Sequence, residues 1–196
     1  MRIILSDFMS LDGVVQAPGG RKEDTDGDFQ HGGWSMRFFD ADAMGPVFDE
    51  AIQRTDALLF GRRTFQGMAA AWPGRAGDPF ADRMNEMPKY VASRTFAADD
   101  LNWTNSTLLP GDDAIGAIRD LKAAEGGDIQ VMGSSSLASQ LIANDLVDLY
   151  QLMLEPILLG GGKRIFPEDG QARRLELVDT KPTSTGVIIC TYRPAG

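Results

Sequence analysis

Two short apolar runs in the sequence each lead into a glycine followed by hydroxyl-bearing residues. Residues 58–60 (LLF) precede Gly61–Thr64 (GRRT), and residues 129–132 (IQVM) precede Gly133–Ser135 (GSS). Glycine lets the backbone turn sharply and approach a ligand closely. The N-terminus of a following helix offers free N–H groups and the positive end of the helix dipole. This combination favours binding of an anion such as a phosphate, although neither motif matches a GxGxxG or GxxxxGK[ST] fingerprint.

A third apolar run, residues 90–92, ends in Ser93-Arg94-Thr95, and it lies in a locally cationic part of the chain. Residues 61–96 carry six basic and three acidic residues, whereas the whole protein has a formal net charge of −9. Arginine forks pair well with phosphate oxygens. The three junctions together therefore predict one phosphate-binding cleft, and Arg75, Arg83 and Lys89 are left as ordinary surface charges.

The elements that must position these residues alternate along the chain. Apolar patterning predicts strands at 2–9, 57–60, 89–93, 103–109, 129–132 and 146–159, with a break at Pro156, and a terminal hairpin at 175–180 and 186–193. Helices are predicted at 42–54, 62–71, 80–86, 112–124 and 135–144. This order predicts a single α/β domain over 1–196, with a mainly parallel sheet flanked by helices and antiparallel C-terminal strands. In such a sheet, turns after the strands meet at one ligand-binding edge.

Residues 12–36 form a long polar stretch that is rich in glycine. Loops of this length inside a compact domain are usually functional lids or disordered segments. The position directly after the first strand predicts a lid over the same edge of the sheet.

Composition excludes several functional classes. The acidic balance disfavours nucleic acid and anionic membrane surfaces as partners. One cysteine and one histidine make a transition-metal site improbable, so no metal is expected. No apolar run reaches 18 residues and the chain opens on a strand pattern, which predicts a cytoplasmic protein.

The order of these motifs resembles that of the dihydrofolate reductase-like fold, and it is most similar to the pyrimidine reductase domain of riboflavin biosynthesis. Besides the three junctions, the marks are Met9–Gly13 (MSLDG), Asn144–Asp148 (NDLVD) and Pro156–Gly162 (PILLGGG). The resemblance spans roughly residues 2–192. It implies that NADPH donates a hydride to a small heterocyclic or carbonyl/imine substrate, as in 5-amino-6-(5-phosphoribosylamino)uracil reductases.

The resemblance also implies roles for individual residues. The residues implied in cofactor binding are Gly13, Gly61, Arg62, Arg63, Thr64, Ser93, Arg94, Thr95, Met132, Gly133, Ser134, Ser135 and Leu137. Within this group Arg62 would lie nearest the 2′-phosphate. Ser6 and Phe8 would contact the substrate, and the proton donor stays open between Asp12, Glu50 and a bound water. A homodimer through the C-terminal strands is also implied.

Three departures from the relatives keep other functions open. Dihydrofolate reductases carry an acid on the helix after the lid, and the matching place here, Met44–Gly45, has no carboxylate. The chain has no deaminase domain, and Gly133-Ser134 replaces the usual Gly-Gly pair. The alternatives are therefore a non-catalytic NADP-binding or regulatory protein and a true dihydrofolate reductase.

Overall fold

The computed structural model describes residues 1–75 and 77–196, and the eight strands of these residues form one mixed sheet. The strands are β1 (Arg2–Ser10), β2 (Thr55–Gly61), β3 (Lys89–Ala92), β4 (Ser106–Leu108), β5 (Asp128–Met132), β6 (Leu149–Glu155), β7 (Leu175–Pro182) and β8 (Ile188–Pro194). The helices are α1 (Ala41–Arg54), α2 (Arg62–Ala71), α3 (Pro79–Glu86), α4 (Ala114–Ala123) and α5 (Ser135–Ala143).

The sheet order is β4-β3-β2-β5-β1-β6-β8-β7. Strands β1 to β6 run parallel to one another, and β8 is antiparallel to both β6 and β7. The predicted α/β fold, mainly parallel with antiparallel C-terminal strands, is confirmed. As a result, the carboxyl ends of β1, β2, β3, β5 and β6 lie along one edge.

Helices cover both faces of the sheet, as the side-chain alternation of central strands requires. Leu5 and Leu59 face one side, where they pack with Ile118 of α4 and Leu141 of α5. The opposite face of the sheet packs against α1, α2 and α3 through a second set of buried side chains that includes Phe60. Burial of apolar surface on both faces is the main favourable contribution to folding.

Strand β6 is shorter than the predicted run over 146–159. It begins at Leu149, and just before it the Asp148 carboxylate accepts a hydrogen bond from the Ile3 amide of β1 at 2.8 Å. It ends at Glu155 because Pro156 has no N–H to continue the ladder.

The stretch predicted as a lid has structure of its own. It contains two short 3₁₀ turns, Asp26–Asp28 and Trp34–Phe38. Trp34 is buried in a small apolar cluster, and its indole N–H donates to the Gln16 carbonyl at 2.8 Å. This loop is therefore packed against itself as well as against the sheet.

The expectation that Lys89 is a surface charge is wrong. Its side chain is fully buried, and its ammonium donates to the carbonyls of Asn85, Met87 and Thr104 at 2.7–3.1 Å while lying over the Trp103 ring. Burial lowers the pKa of Lys89 to about 8. Lys89 thus ties the start of β3 to two loops.

Within residues 1–75 and 77–196, no helix has both the length and the apolar character that crossing a bilayer requires.

Candidate active site

The two glycine junctions meet at the carboxyl edge of the sheet. The Gly61 amide, at the end of β2, donates a hydrogen bond to the Ser134 hydroxyl at 2.8 Å. A side chain on Gly133 would come within 3.6 Å of Thr64, the third residue of α2. The N-termini of α2 and α5 therefore lie side by side.

Neither of these helix starts is capped by a side chain. Gly61, before α2, has no side chain, and the side chain of Ser134, before α5, makes no capping hydrogen bond. In contrast, Asp40 and Asp113 cap α1 and α4. The first N–H groups of a helix need acceptors. Two adjacent uncapped N-termini thus provide a place for a phosphate-rich ligand.

The arginines around this place differ in their pairing. Within the described part of the chain, Arg62 and Arg94 make no ion pair or side-chain hydrogen bond. Arg63 pairs with Asp26, and its guanidinium lies 3.8 Å from Asp24. Both carboxylates belong to the loop and also pair with Lys163. The loop is thereby fastened across the N-terminus of α2.

The junction after β3, at residues 93–95, adjoins the junction after β2, at residues 61–64. Ala92 pairs with Gly61 in the parallel register, so Ser93 follows β3 directly beside the start of α2. The Ser93 hydroxyl accepts hydrogen bonds from the amides of Thr95 and Phe96 at 3.2 and 3.1 Å, which folds the chain into a tight turn. This turn leaves Arg94 and Thr95 exposed.

Three of the residues predicted to bind the cofactor differ in how close they lie to the cleft. Ser135, the first residue of α5, is half-buried beside the cleft. Met132 packs against the apolar cluster around Phe60, and Leu137 is buried in the main core. Met132 and Leu137 therefore pack in the apolar core next to the Gly133–Ser135 junction.

Asp12 acts as a structural tie, which argues against its predicted role as proton donor. Its carboxylate accepts hydrogen bonds from the Ser10 hydroxyl at 2.6 Å and from the amides of Leu159 and Gly160 at 3.1 and 2.8 Å. The Ser10 bond, aided by those amides, lowers the pKa of Asp12 to about 2. A carboxylate that is ionised at neutral pH has no proton to give. The next residue, Gly13, turns the chain at φ +85°.

The structure places Glu50 away from this edge. Glu50 is exposed and pairs with Arg54, the last residue of α1, at 2.9 Å. Because β2 begins at Thr55, this end of α1 lies at the amino edge of the sheet. Glu50 is therefore outside the candidate site.

Ser6 and Phe8 lie on the α1 face of β1, as their alternation predicted. Ser6 is buried, and Phe8 meets Phe48 of α1 edge-on with ring centroids 6.0 Å apart. Phe8 packs between the sheet and α1, and its predicted contact with substrate stays a prediction.

Glu155 is a buried acid that the sequence reading missed. It is 1 % exposed at the end of β6, and its Oε1 accepts a hydrogen bond from the Ser35 hydroxyl at 2.6 Å. Burial raises the pKa of Glu155 to about 7, against the opposing effect of the Ser35 bond. One signal could have found it: an acidic residue closes an otherwise mostly apolar strand directly before Pro156.

Asp7 is a second buried acid, on the opposite face of β1. It lies in register with Leu152 among the apolar side chains that pack against α5. Burial, with a smaller effect of Glu23, raises the pKa of Asp7 well above its usual range. Its side chain therefore points away from Ser6 and Phe8.

The family of this protein follows from comparison of its sequence with known proteins. The model of the RibD C-terminal domain matches residues 1–189. The chain belongs to the RibD C-terminal domain family. The chain is also 30 % identical over 196 residues to the uncharacterized protein YyaP of Bacillus subtilis (strain 168), covering 97 % of this chain and 94 % of YyaP. Membership confirms the resemblance seen in the motifs and places the protein in an oxidoreductase family.

Solved structures share the fold at low sequence identity. A candidate riboflavin biosynthesis protein of Shewanella sp. PV-4 aligns over all of both chains with a TM-score of 0.76 and 20 % identity. The deaminase/5-amino-6-(5-phosphoribosylamino)uracil reductase of Thermotoga maritima aligns over 99 % of this chain and 56 % of its own, with a TM-score of 0.63 and 15 % identity. Dihydrofolate reductase of Enterococcus faecalis with NADP(H) aligns over 100 % and 97 %, with a TM-score of 0.59 and 15 % identity.

Proposed function

We propose that this RibD C-terminal domain protein is an NADPH-dependent reductase that transfers a hydride to a small heterocyclic or carbonyl/imine substrate. Family membership supports a reductase. One solved protein of the same fold holds NADP(H), and another is named a 5-amino-6-(5-phosphoribosylamino)uracil reductase. When bound, the nicotinamide would supply the hydride, and the protein would orient it and exclude water.

The convergence of the two uncapped helix N-termini carries this proposal. The Gly61–Ser134 hydrogen bond brings them together, and Gly133 turns the chain there at φ +61°. The groups that would hold the pyrophosphate are the free N–H groups of α2 and α5 with Thr64 and Ser135. Such an arrangement fits a ligand with several phosphates.

Arg62 and Arg94 support NADPH over NADH as the cofactor. Both guanidiniums are without an ion pair within the described chain, and they follow adjacent strands. A 2′-phosphate offers a dianion that such guanidinium groups bind with charge-assisted hydrogen bonds. We assign Arg62 to that phosphate, with Arg94 beside it.

The proposal includes a homodimer through the C-terminal strands, in a protein of the cytoplasm. Strand β7 is a sheet edge whose eight residues are all exposed, among them Leu175, Leu177 and Val178, and Ile188 of β8 is also exposed. Contiguous exposed apolar side chains on an edge strand favour association. Sedimentation equilibrium at micromolar protein should give twice the mass of the chain, and a monomer would contradict this part of the proposal.

Calorimetric titration followed by an oxidation assay tests the proposed function. We expect NADPH to bind and NADH to bind more weakly. Oxidation of NADPH is then followed with carbonyl, imine, dihydrofolate and aminopyrimidine substrates. Failure to bind either nucleotide would overturn the proposal, and binding without any oxidation would favour the non-catalytic alternative.

A further inference from the structure

The carboxyl at the end of β6 has one oxygen without a partner. Glu155 Oε1 is hydrogen-bonded to Ser35, but Oε2 is buried and has no hydrogen-bond partner within the described residues. Buried polar atoms are almost always paired, and an exception needs an explanation. A ligand that completes the pairing is one such explanation.

The place of Glu155 on the sheet points to the substrate side of the edge. In the parallel register it lies opposite Ser10, on the α1 face that also carries Ser6 and Phe8. Leu11, directly after β1, and Leu158, three residues after β6, are 67 % and 71 % exposed. An apolar rim beside a buried acid suits a flat ring that contains nitrogen.

The cover of Glu155 comes from the loop between β1 and α1. Ser35 belongs to the turn Trp34–Phe38, and within the described residues its hydroxyl donates the one hydrogen bond that the Glu155 carboxyl accepts. Movement of this turn would release the Glu155 carboxyl from Ser35 without any change in the sheet.

We propose that Glu155 is a catalytic residue whose carboxyl receives a ring nitrogen of a small nitrogen heterocycle and gives it a proton. This inference rests on the proposed reductase function and supplies the acid that function needs. A bound dihydronicotinamide would supply the hydride, with its two electrons, to the C=N carbon and would itself be oxidised. The Glu155 carboxyl gives its proton to the nitrogen, so that C=N becomes CH–NH, and the carboxylate takes a proton back from water.

The surroundings of Glu155 allow both protonation states near neutral pH. The polar groups on this face are uncharged: the hydroxyls of Ser10 and Ser35, and farther along the strands Gln151 and Thr191. Met44 of α1 and Ile189 of β8, which pack in the cluster on this face, are apolar. The charged group nearest in the bonding network is Asp12, which Ser10 holds. Burial raises the pKa of Glu155 to about 7, which suits a general acid.

The first experiment needs neither cofactor nor substrate. The carboxyl carbons of glutamate are labelled with ¹³C and followed by NMR against pH in the wild type, in E155Q and in E125Q, which changes an exposed glutamate. We expect one resonance to titrate near pH 7 in the wild type and E125Q and to be lost in E155Q. Ionisation of every glutamate near its ordinary pKa would overturn the inference.

The second experiment measures binding of 2,4-diaminopyrimidine by calorimetry between pH 5 and pH 9. We expect E155Q to weaken binding at least tenfold and E125Q to leave it unchanged. In S35A the midpoint of the pH profile should rise, since the hydroxyl that stabilises the carboxylate is gone. Because the ligand's own protonation is common to all variants, an unchanged midpoint in S35A or full affinity in E155Q would contradict the inference.

The outcomes separate this inference from the proposed function. Loss of NADPH binding with the Glu155 titration intact would contradict the proposed reductase function but not the site at the Glu155 carboxyl. NADPH oxidation by E155Q at the wild-type rate would contradict the catalytic role of Glu155 but not the proposed reductase function.

Discussion

The Gly61 amide and the Ser134 hydroxyl are joined by a 2.8 Å hydrogen bond across 73 residues of sequence. The bond links the end of β2 to the turn between β5 and α5. Ser134 holds a left-handed conformation, with φ +64°. Such a conformation is costly for a residue with a side chain, which indicates that the junction is held by its surroundings.

Replacement of Ser134 separates the hydrogen bond from the backbone strain. S134A and S134G both remove the hydroxyl, but only glycine adopts φ +64° freely. We expect both variants to weaken NADPH binding by a similar factor, and S134A to be less stable than S134G by about 1 kcal/mol. Calorimetry and urea unfolding measure the two effects. Equal stability of the variants would show that the left-handed turn stores no strain.

The assignment of Arg62 to the 2′-phosphate predicts a change in cofactor preference. R62A should weaken NADPH binding about 10- to 100-fold, because a charge-assisted hydrogen bond contributes about 1.5–3 kcal/mol. NADH, which lacks this phosphate, should lose far less. R174A, at an exposed arginine outside the site, serves as the control. Equal losses for both nucleotides in R62A would contradict the assignment.

The pairing of Arg63 with the loop predicts that some acidic residues oppose cofactor binding. Asp26 pairs with Arg63 and Lys163, whereas the side chain of Asp28 makes no ion pair within the described chain. D26N should strengthen NADPH binding about two- to fivefold at low salt by freeing Arg63. D28N removes the same charge and should change the affinity less. Equal gains in NADPH affinity in the two variants would show that the net charge, and not the pairing of Arg63, sets the affinity.

The buried Asp7 predicts a pH-dependent stability difference. Its pKa is raised in the folded state, so the folded protein holds the proton more tightly than the unfolded chain does. Stability is therefore lost as pH rises from the unfolded pKa of about 3.9 towards the folded one. D7N should be more stable than the wild type at pH 8, with a smaller gap at pH 5, in urea unfolding. D120N, at an exposed position of α4, should show no such trend.

Sequence reasoning recovered what depends on local patterns. The glycines and hydroxyls after β2 and β5 follow apolar runs, and this order predicted both the parallel sheet and the meeting of the junctions. Asp12 was seen as part of a motif, but its bonds to Leu159 and Gly160 join residues 147 and 148 positions apart and have no local pattern.

Lys89 and Glu155 show where such reasoning stops. Each is a residue with an ionisable side chain in a short strand. Whether such a side chain can be buried depends on whether residues distant in sequence supply hydrogen-bond partners. For Lys89 these are three carbonyl groups, one of them 15 residues away, and for Glu155 it is a serine 120 residues away. Charge alone therefore suggested a surface position for Lys89 and no role for Glu155.

The packing of Trp34 within its loop has a practical consequence for spectroscopy. The other tryptophans lie elsewhere: Trp72 follows α2 and stacks with Arg75, and Trp103 lies beside Phe60 and Lys89. Each of the three indoles thus occupies a separate environment. With Trp72 and Trp103 replaced by phenylalanine, the emission of Trp34 would be an intrinsic optical reporter of the loop, and it would require no attached dye.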